Sequence, residues 1–506
     1  MRKLSWKLLL VSGVLFVGSI VHASGLEDRL WHEVSSKHFT LYSLLPVTDA
    51  TELLHNLELL RAAIPALTNI EITESPIKTV IISVESAPDL RKLGVSNRTL
   101  GLFASGKREN LILVRDSKFS EDAATILHEY VHYLSRSGRV QAYPVWFAEG
   151  FAEYFSSAVL NGDSFEVGRF PSMRRRSFHN CHWLSAADLI SGKGRGHCMF
   201  YASAWAAVHY LQTYPDHADH FADYLRRIEQ QEDSVDAFRE AFGINITTFN
   251  SRLKRYVRKG DFDYIGLSAD ELLRDFETKS RSVSREEISH LLGNAALRLN
   301  QLQQARAWYE VAVEDAALAG RARAGLGNVA TSLERHADAE AHFNAAYRLS
   351  PDDPIVLLDI GRYWLTRARL EKDESLRDGH LVTARKYIGK SWQIDDSKPE
   401  TYALYGRSFL LQRDHAKAID TLEAANRLLP SNLGIRIELA GAYVHTNRLD
   451  EADVLTRSVK AWAHPAGKLV TMAETLMVQI DEARAAVSSA AEPDAKSEPL
   501  SASERL

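Results

Sequence analysis

Two histidines and a glutamate lie within one five-residue segment, at a spacing that suits the binding of a single zinc ion. The segment is His128-Glu129-Tyr130-Val131-His132. On an α-helix, residues four apart share a face, so His128 and His132 can both direct a ring nitrogen at one ion. Glu129 lies next to them and can reach a water molecule beside the metal. These residue types at this spacing indicate metal-assisted hydrolysis, in which the glutamate moves a proton.

The bare pattern also arises by chance. With 19 histidines in the chain, a random His-Glu-x-x-His is expected in about one such chain in twenty. A surface helix with two solvated histidines is therefore an alternative. The neighbouring residues favour an amphipathic helix, because Leu127, Val131 and Leu134 form an apolar stripe at helical spacing.

A second helix is predicted to supply a third ligand, since a catalytic zinc site needs three protein ligands and one open position. Residues 143–154 read Tyr-Pro-Val-Trp-Phe-Ala-Glu-Gly-Phe-Ala-Glu-Tyr. Gly150 costs about 1 kcal/mol in a helix relative to alanine, which predicts a close approach to the metal helix. Glu149 is the predicted third ligand. Glu153, one turn on, is predicted to orient a ligating histidine, and a solvated acid on the helix surface is the alternative.

These two segments together resemble the gluzincin metallopeptidases, in particular the bacterial proteins described as peptidase MA-like or DUF1570-like. The resemblance covers about Trp31 to Val257. It implies a zinc ligand set of His128, His132 and Glu149, and it implies that Glu129 is the general base. The Gly-x-Met-x-Asn segment of the aminopeptidase branch is absent, so cleavage at the ends or in the interior of a substrate is left open.

Two further elements of the first half are expected to contribute to catalysis. Peptidases of this class commonly place a tyrosine or histidine after the third ligand to stabilise the oxyanion. Tyr201 is the predicted donor and Tyr210 a second candidate, with ordinary core packing as the alternative for both. Asn110–Arg115 is predicted as a buried strand. The resemblance places such a strand along the substrate cleft, where its edge can pair with an extended peptide, but an interior strand without substrate contact fits equally well.

The first residues have the pattern of a secretory signal. Arg2, Lys3 and Lys7 precede an apolar run, and Ala23 ends a small-residue cleavage site. An uncleaved membrane anchor is the alternative for residues 1–23. The predicted location is secreted or periplasmic in a bacterial cell envelope, with no stable membrane span after signal cleavage.

The chain has two cysteines, Cys181 and Cys198. In an exported protein they are predicted to form one disulfide. His179, His182 and His197 lie beside them in the sequence, so a second metal site is the alternative.

Charge excludes some classes of partner. The net charge of −5 is mild and no nucleic-acid-binding motif is present, so no nucleic acid partner is expected. One basic run, Met173–Arg176, either meets acidic substrates or anionic surfaces or is a solvated loop.

The second half is periodic. Small residues recur 34 apart or, after an eleven-residue insertion, in the same phase, at Gly293, Gly327, Gly361, Gly406 and Ala440. A second series of small residues is Ala305, Ala339, Ala384, Ala418 and Ala452, and most are followed four residues later by a large one, at Tyr309, Phe343, Ile388 and Leu422. This pattern resembles the tetratricopeptide (TPR) repeat, in which small residues let paired helices touch. The resemblance implies a concave face that binds a protein partner, and a spacer or an intramolecular brace is the alternative.

The predicted fold class is an α+β gluzincin-like metallopeptidase domain followed by an all-α TPR solenoid. The predicted order is a signal peptide (1–23), the metallopeptidase domain (24–262), a linker (263–284), about five repeats with a capping helix (285–487) and a disordered tail (488–506). The predicted function is an exported metallopeptidase with one zinc ion per chain, whose solenoid binds a protein substrate or partner. The alternative is a catalytically silent scaffold for protein–protein interaction in the cell envelope.

Overall fold

The computed structural model describes residues 25–68, 70–96, 101–115, 121–137, 143–213, 216–463 and 467–491, without the side chains of 121–123, 125 and 487–491. The predicted signal segment 1–23 lies outside these residues, as do residues 492–506 of the predicted tail. None of the helices within the described ranges combines the length and apolar character that a membrane crossing requires.

The first half contains two sheets. Their strands are β1 (Trp31–Ser35), β2 (Phe39–Ser43), β3 (Thr79–Val84), β4 (Gly101–Ala104), β5 (Asn110–Arg115), β6 (Val159–Asn161), β7 (Ser164–Val167), β8 (Ile265–Ser268) and β9 (Lys279–Val283). The larger sheet has the order β4-β5-β3-β2-β1-β9, in which β2, β3 and β5 are parallel and the other pairs are antiparallel. The smaller sheet has the order β6-β7-β8.

Most helices of the first half pack with the smaller sheet and one face of the larger sheet, and one short helix packs on the other face of the larger sheet. The helices are α1 (Val47–Leu67), α2 (Ala87–Lys92), α3 (Glu121–Ser137), α4 (Val145–Ser156), α5 (Arg175–Asn180), α6 (Ala186–Ile190), α7 (Phe200–Leu211), α8 (His217–Glu229), α9 (Ser234–Phe242), α10 (Ile246–Lys259) and α11 (Ala269–Leu272). One-turn 3-10 helices are formed at Leu26–Asp28 and Ser172–Arg174. The region before the solenoid is therefore α+β, as predicted.

The strand Asn110–Arg115 is an interior strand and has no free edge that could pair with an extended peptide. It is hydrogen-bonded to β3 on one side and to β4 on the other. Its residues are buried on both faces up to Arg115, which is typical of a central strand. The edge position belongs to β4 (Gly101–Ala104). The cleft-edge alternative for Asn110–Arg115 is therefore wrong.

The larger sheet is covered on both faces. Alternate strand residues such as Ile81 and Ile112 pack with α1 and α3 in one core. Their neighbours Ile82 and Leu113 point to the opposite face and pack into a second core that includes Leu292 of the second half. A sheet rich in parallel strands has two apolar faces and must bury both. The second half of the chain supplies the cover for one of them.

The second half is a stack of helix pairs. The pairs are α12 (Arg285–Arg298) with α13 (Leu302–Ala312), α14 (Ala319–Ser332) with α15 (His336–Leu349), α16 (Pro354–Leu370) with α17 (Glu374–Ile394), α18 (Pro399–Leu411) with α19 (His415–Leu428), and α20 (Leu433–His445) with α21 (Leu449–Trp462). A last helix, α22 (Lys468–Ala491), packs on α20 and α21. The five pairs and the capping helix agree with the prediction from periodicity.

Contacts between a small and a large residue join the two helices of a pair. A Cβ atom at Gly327 would lie 2.8 Å from the Phe343 ring, and one at Gly361 would lie 2.6 Å from the Ile388 side chain. Gly327 and Gly361 belong to the series of small residues that the sequence analysis expected to let paired helices touch. The insertion near residues 370–380 lengthens α16 and α17 and leaves only a short turn between them.

Two expected boundaries differ from the structure. The segment 263–284, expected as a linker, carries β8 and β9, which pair with β7 and β1 of the first half. These strands complete the two sheets, so the segment is part of the first half. The helix α22 continues to Ala491, beyond the expected start of a disordered tail at residue 488.

We expect Leu292→Ala to lower the free energy of unfolding of the whole chain by about 2–5 kcal/mol, because it leaves a cavity in a core shared by both halves. Hydrogen exchange in urea should show β3 and α14 amides losing protection together. Leu376→Ala, at a side chain that is 57% exposed on α17, is the control and should change stability by less than about 0.5 kcal/mol. Loss of protection in α14 while β3 stays protected would contradict a shared core.

Candidate metal centre

The helices α3 and α4 bring the predicted ligands together. Val131 and Leu134 of α3 are fully buried against the larger sheet, which fixes the rotation of the helix. Trp146 anchors α4, because its ring is buried and its Nε1 donates a 2.9 Å hydrogen bond to the Tyr224 hydroxyl. The two helices pack against each other directly.

Three donor atoms form a nearly equilateral triangle at this junction. The Nε2 atoms of His128 and His132 are 3.1 Å apart. Oε2 of Glu149 lies 3.2 Å from each of them. The structure therefore places Glu149 beside both imidazole rings, where the sequence predicted it.

The triangle has the dimensions of a zinc site. Four ligand atoms arranged tetrahedrally at about 2.0–2.1 Å from zinc lie about 3.3–3.4 Å from one another. The observed separations are 3.1–3.2 Å. Two imidazoles and one carboxylate are also a ligand set that catalytic zinc sites use. Among the described residues, this is the one group of histidine, cysteine and acidic side chains whose donor atoms converge in this way.

The charges at this junction depend on one another. Burial alone would lower the pKa of His128, but the contacts of its ring with the Glu149 and Glu153 carboxylates outweigh burial and raise the pKa to about 9. Burial lowers the pKa of His132. Burial opposes ionisation of Glu149, yet its hydrogen bonds to the two histidines hold its pKa well below the usual range. Without a metal ion, the triangle holds one protonated and one neutral imidazole around a carboxylate.

Glu153 lies on the Nδ1 side of the His128 ring. One of its carboxylate oxygens is 3.2 Å from Nδ1 of His128, at ion-pair distance although not well aligned for a hydrogen bond. The Glu153 residue is 4% exposed, so the solvated alternative for this residue is wrong. A carboxylate at Nδ1 leaves Nε2 facing the triangle and fixes the ring orientation.

Arg174 belongs to this junction, although the sequence analysis named only the basic run that contains it. Its Nε donates a 2.9 Å hydrogen bond to Glu153, and its Nη2 contacts the other carboxylate oxygen. The basic run was predicted to face substrate or solvent as a whole. Arg175 and Arg176 are exposed, whereas Arg174 turns inward from the 3-10 turn at Ser172–Arg174. The run of three arginines indicated a charged segment, but it did not indicate which of the three side chains points inward.

Glu129 and Tyr201 lie on a cleft beside the triangle. The cleft has a volume of about 380 Å³, and its lining includes His128, Glu129, Arg174 and Tyr201. Glu129 is exposed to the cleft. The Tyr201 ring is 6.2 Å from the His128 ring, and the Arg174 guanidinium lies 4.8 Å from the Tyr201 ring centroid. Burial raises the pKa of Tyr201, and the charge of Glu149 adds to that effect.

The second tyrosine candidate lies elsewhere. Tyr210 packs 5.1 Å from Tyr256 and 6.0 Å from Phe249 of α10, and it does not line the cleft. The core alternative is therefore correct for Tyr210. Tyr201 is the tyrosine that the fold brings near the three donor atoms.

Cys181 and Cys198 form a disulfide, as predicted. The bond connects the end of α5 to the residue that precedes Met199 and α7, and so it fixes the start of the helix that carries Tyr201. The alternative of a second metal site at these cysteines is wrong for the described residues, because both sulfurs are in the disulfide and no ligand group converges around them.

Gly150 makes a close approach, but to a different helix from the one expected. A Cβ atom at this position would lie 2.3 Å from the backbone oxygen of Ala204. The helix in contact is α7, whereas the sequence analysis expected α3. The reason is the helical turn: Gly150 follows Glu149 by about 100° around α4, so when Glu149 faces α3, Gly150 faces α7.

Comparison with protein families matches three segments of the chain. Tetratricopeptide repeat families match residues 290–354 and 409–470. A family described as a protein of unknown function (DUF1570) matches residues 122–233, the span that contains α4, α7 and most of α3. The chain therefore carries a DUF1570 domain followed by TPR repeats, and TPR repeats point to protein–protein interaction.

Similar solved structures are TPR proteins. A thermophilic TPR protein of Thermus thermophilus is 19% identical with a TM-score of 0.33, and the match covers 40% of this chain and 99% of that chain. PilF of Pseudomonas aeruginosa is 16% identical with a TM-score of 0.33, covering 40% of this chain and 87% of that chain. Yeast Tom70 is 14% identical with a TM-score of 0.31, covering 70% of this chain and 69% of that chain. No curated protein matches this chain.

We expect Gly150→Ala to lower the free energy of unfolding by about 1–3 kcal/mol, because the added methyl group would force α4 away from the Ala204 backbone. Urea denaturation measures the change. Gly379→Ala is the matched control: Gly379 is exposed on α17 and a Cβ there meets no atom within 4 Å. That substitution should stabilise the chain by about 0.4–1 kcal/mol. A more stable Gly150→Ala protein would contradict the close contact between α4 and α7.

Proposed function

We propose that this chain is an exported zinc metallopeptidase of the gluzincin class, and that its first half has the fold and activity of that class. The observation that carries the proposal is the triangle of His128, His132 and Glu149 donor atoms at 3.1–3.2 Å. An acidic side chain, Glu129, stands beside it on an open cleft. Structural histidines and acids have no need of this combination, whereas hydrolysis at a metal ion needs each part of it.

His128, His132 and Glu149 would hold the ion, and Glu153 would keep the His128 ring in place through Nδ1. A zinc ion bound there would supply a Lewis acid and would lower the pKa of a bound water to about 7. Arg174 balances the charge of Glu153. The ligand carboxylate and the orienting carboxylate can then lie one turn apart on α4 without unbalanced repulsion.

Glu129 is proposed as the general base. Its carboxylate faces the cleft, where it can accept a proton from the attacking water and return that proton to the leaving amine. Removing such a group typically lowers the rate by about 10²–10⁴-fold.

Tyr201 is proposed to donate a hydrogen bond to the developing oxyanion. Burial raises the pKa of its hydroxyl, so the hydroxyl keeps its proton at neutral pH and can act as a donor. The disulfide between Cys181 and Cys198 fixes the first turn of α7 and with it the position of Tyr201. Edge strand β4, which packs beside α3, is the proposed backbone partner for an extended peptide substrate.

Export is proposed from two observations. Residues 1–23 have the pattern of a cleavable signal. The two cysteines of the chain form a disulfide, which persists in oxidising compartments such as the periplasm.

A catalytically silent scaffold is the second candidate, favoured by the TPR repeats that make up much of the second half. The presence of all four residues His128, Glu129, His132 and Glu149 argues against a catalytically silent protein, because a scaffold needs none of them.

We expect Glu129→Gln to keep about one zinc per chain while peptidase activity falls by about 10²–10⁴-fold, because the substitution removes the proton acceptor and leaves the ligands intact. Metal analysis of the purified protein and cleavage of a broad pool of denatured proteins test this. Glu482→Gln, at an exposed position on α22, should retain both zinc and activity. Zinc without cleavage in the unaltered protein would favour the scaffold, and absence of zinc would overturn the proposed site.

We also expect zinc affinity to increase as pH rises from 6.5 to 8.5. The pKa of His128 in the metal-free protein is about 9, so below that pH the imidazolium must lose its proton before it can bind a metal. Each unit of pH should then raise the apparent affinity by about tenfold, with about one proton released per zinc at pH 7. Calorimetry in buffers of different ionisation enthalpy measures the proton. An affinity independent of pH in this range would contradict the ligand role of His128.

A further inference from the structure

The loop between β4 and β5 reaches the inner wall of the solenoid. This basic loop comprises residues 105–109, Ser-Gly-Lys-Arg-Glu. First helices of neighbouring pairs pack more closely together than second helices do, so the first helices line the inner side of the superhelix. The loop contacts three of them, α16, α18 and α20, at the surface where repeat solenoids commonly hold partners.

Solenoid side chains bind the backbone of the loop and of its flanking residues. Asn432, which caps α20, donates a 3.2 Å hydrogen bond to the carbonyl oxygen of Gly106. Arg298 of α12 donates to the carbonyl oxygens of Ala104 at 2.8 Å and Glu109 at 3.2 Å. Binding of several backbone carbonyls by side chains is a way in which a groove can hold an extended peptide or a turn.

The arginine of the loop is held by two buried acids. Arg108 Nη2 lies 2.9 Å from Asp359 of α16, and its Nε lies 2.9 Å from Glu400 of α18. The two acidic residues are only 4% and 6% exposed. Charge-assisted hydrogen bonds at these distances are both strong and specific in direction.

The lysine of the loop faces a third acid. Lys107 Nζ is 3.9 Å from one oxygen of Glu438 on α20, and Arg407 contacts the other oxygen. Glu400 also has two cationic partners: Arg362 contacts one carboxylate oxygen, and Arg108 of the loop contacts the other. Each of these two carboxylates is therefore shared between one arginine of the wall and one cation of the loop. The Lys107 side chain is 21% exposed, and its partial burial lowers its pKa to about 8.

Contacts outside the loop also hold the two halves together. Apolar packing already does this, through the core that Leu292 shares with the sheet. Ile77 also inserts into the solenoid, among Ala403, Ala425, Leu429 and Ile435. The contacts of the basic loop are polar and ionic, and another chain with the same groups can replace them.

We propose that the inner wall, defined by Asp359, Glu400 and Glu438, is a receptor surface for a partner segment that presents two adjacent basic residues on a turn. The chain's own Lys107-Arg108 loop occupies this surface until such a partner displaces it. This inference goes beyond the proposed chemistry and depends on neither metal binding nor catalysis.

The covalent link makes the loop a strong competitor. A tethered ligand acts at an effective concentration of about millimolar or higher. An external segment displaces the loop only if its concentration and affinity together outweigh this effective concentration. Weakly binding or non-basic partners therefore do not displace the loop. Displacement also frees the carbonyl oxygen of Ala104, the last residue of edge strand β4, so partner binding and the mobility of β4 are coupled.

The test uses a labelled cyclic peptide with the sequence of residues 102–112, and a control peptide with glutamine at the two basic positions. Fluorescence anisotropy measures binding to the full chain. We expect Arg108→Gln to bind the basic peptide at least about tenfold more tightly than the unaltered chain, because it weakens the internal competitor. Adding Glu400→Gln to Arg108→Gln should remove this gain, and the control peptide should not bind.

Three results would overturn the proposal: equal affinity of the unaltered and Arg108→Gln chains, no saturable binding to either, or binding that survives Glu400→Gln. Circular dichroism checks that each variant folds. If Arg108→Gln does not fold, hydrogen exchange of the unaltered chain decides. Millimolar basic peptide should then speed exchange in residues 101–110 relative to the control peptide. Unchanged exchange would show that the loop is a fixed brace.

Discussion

The organisation of this protein depends on one constraint: a sheet with three parallel central strands has two apolar faces, and both must be buried. Helices α1 and α3 cover one face. Helices α12, α13 and α14 of the solenoid cover the other together with α2, and Leu292 packs into the same core as Ile82 and Leu113. The repeat array is therefore part of the fold of the first half. Its attachment to the sheet also brings its inner wall to the loop that follows β4.

The candidate metal centre shows how charge can be buried at a helix junction. Glu149 and Glu153 lie one turn apart on α4, and burial opposes the ionisation of both. Each has cationic or hydrogen-bonding partners: Glu149 faces the two imidazoles, and Glu153 lies between His128 and Arg174. An isolated buried carboxylate would take up a proton. The network keeps both acids ionised, which a divalent cation at Glu149 requires.

Features set by local spacing were predicted from the sequence, and features set by distant contacts were not. The His128–His132 spacing and the 34-residue period follow from helix geometry, and the contact of Gly327 with Phe343 follows from that period. The position of β5 inside the sheet depends on β4, which pairs by tertiary contact. The inward turn of Arg174 and the docking of Arg108 on the solenoid join residues far apart in sequence. A periodic sequence pattern does not reveal contacts of this kind.

The shared core has a consequence for synthesis of the chain. Strand β5 ends at Arg115, but the sheet is not complete until β9 has been made, and its second face is not covered until α14 ends at Ser332. At about 5–20 residues per second, translation of that interval takes roughly 10–40 s. Throughout this time the nascent first half exposes an apolar surface. A chaperone that shields this surface, or transport of the unfolded chain before it folds, would protect it from aggregation until its own C-terminal helices arrive.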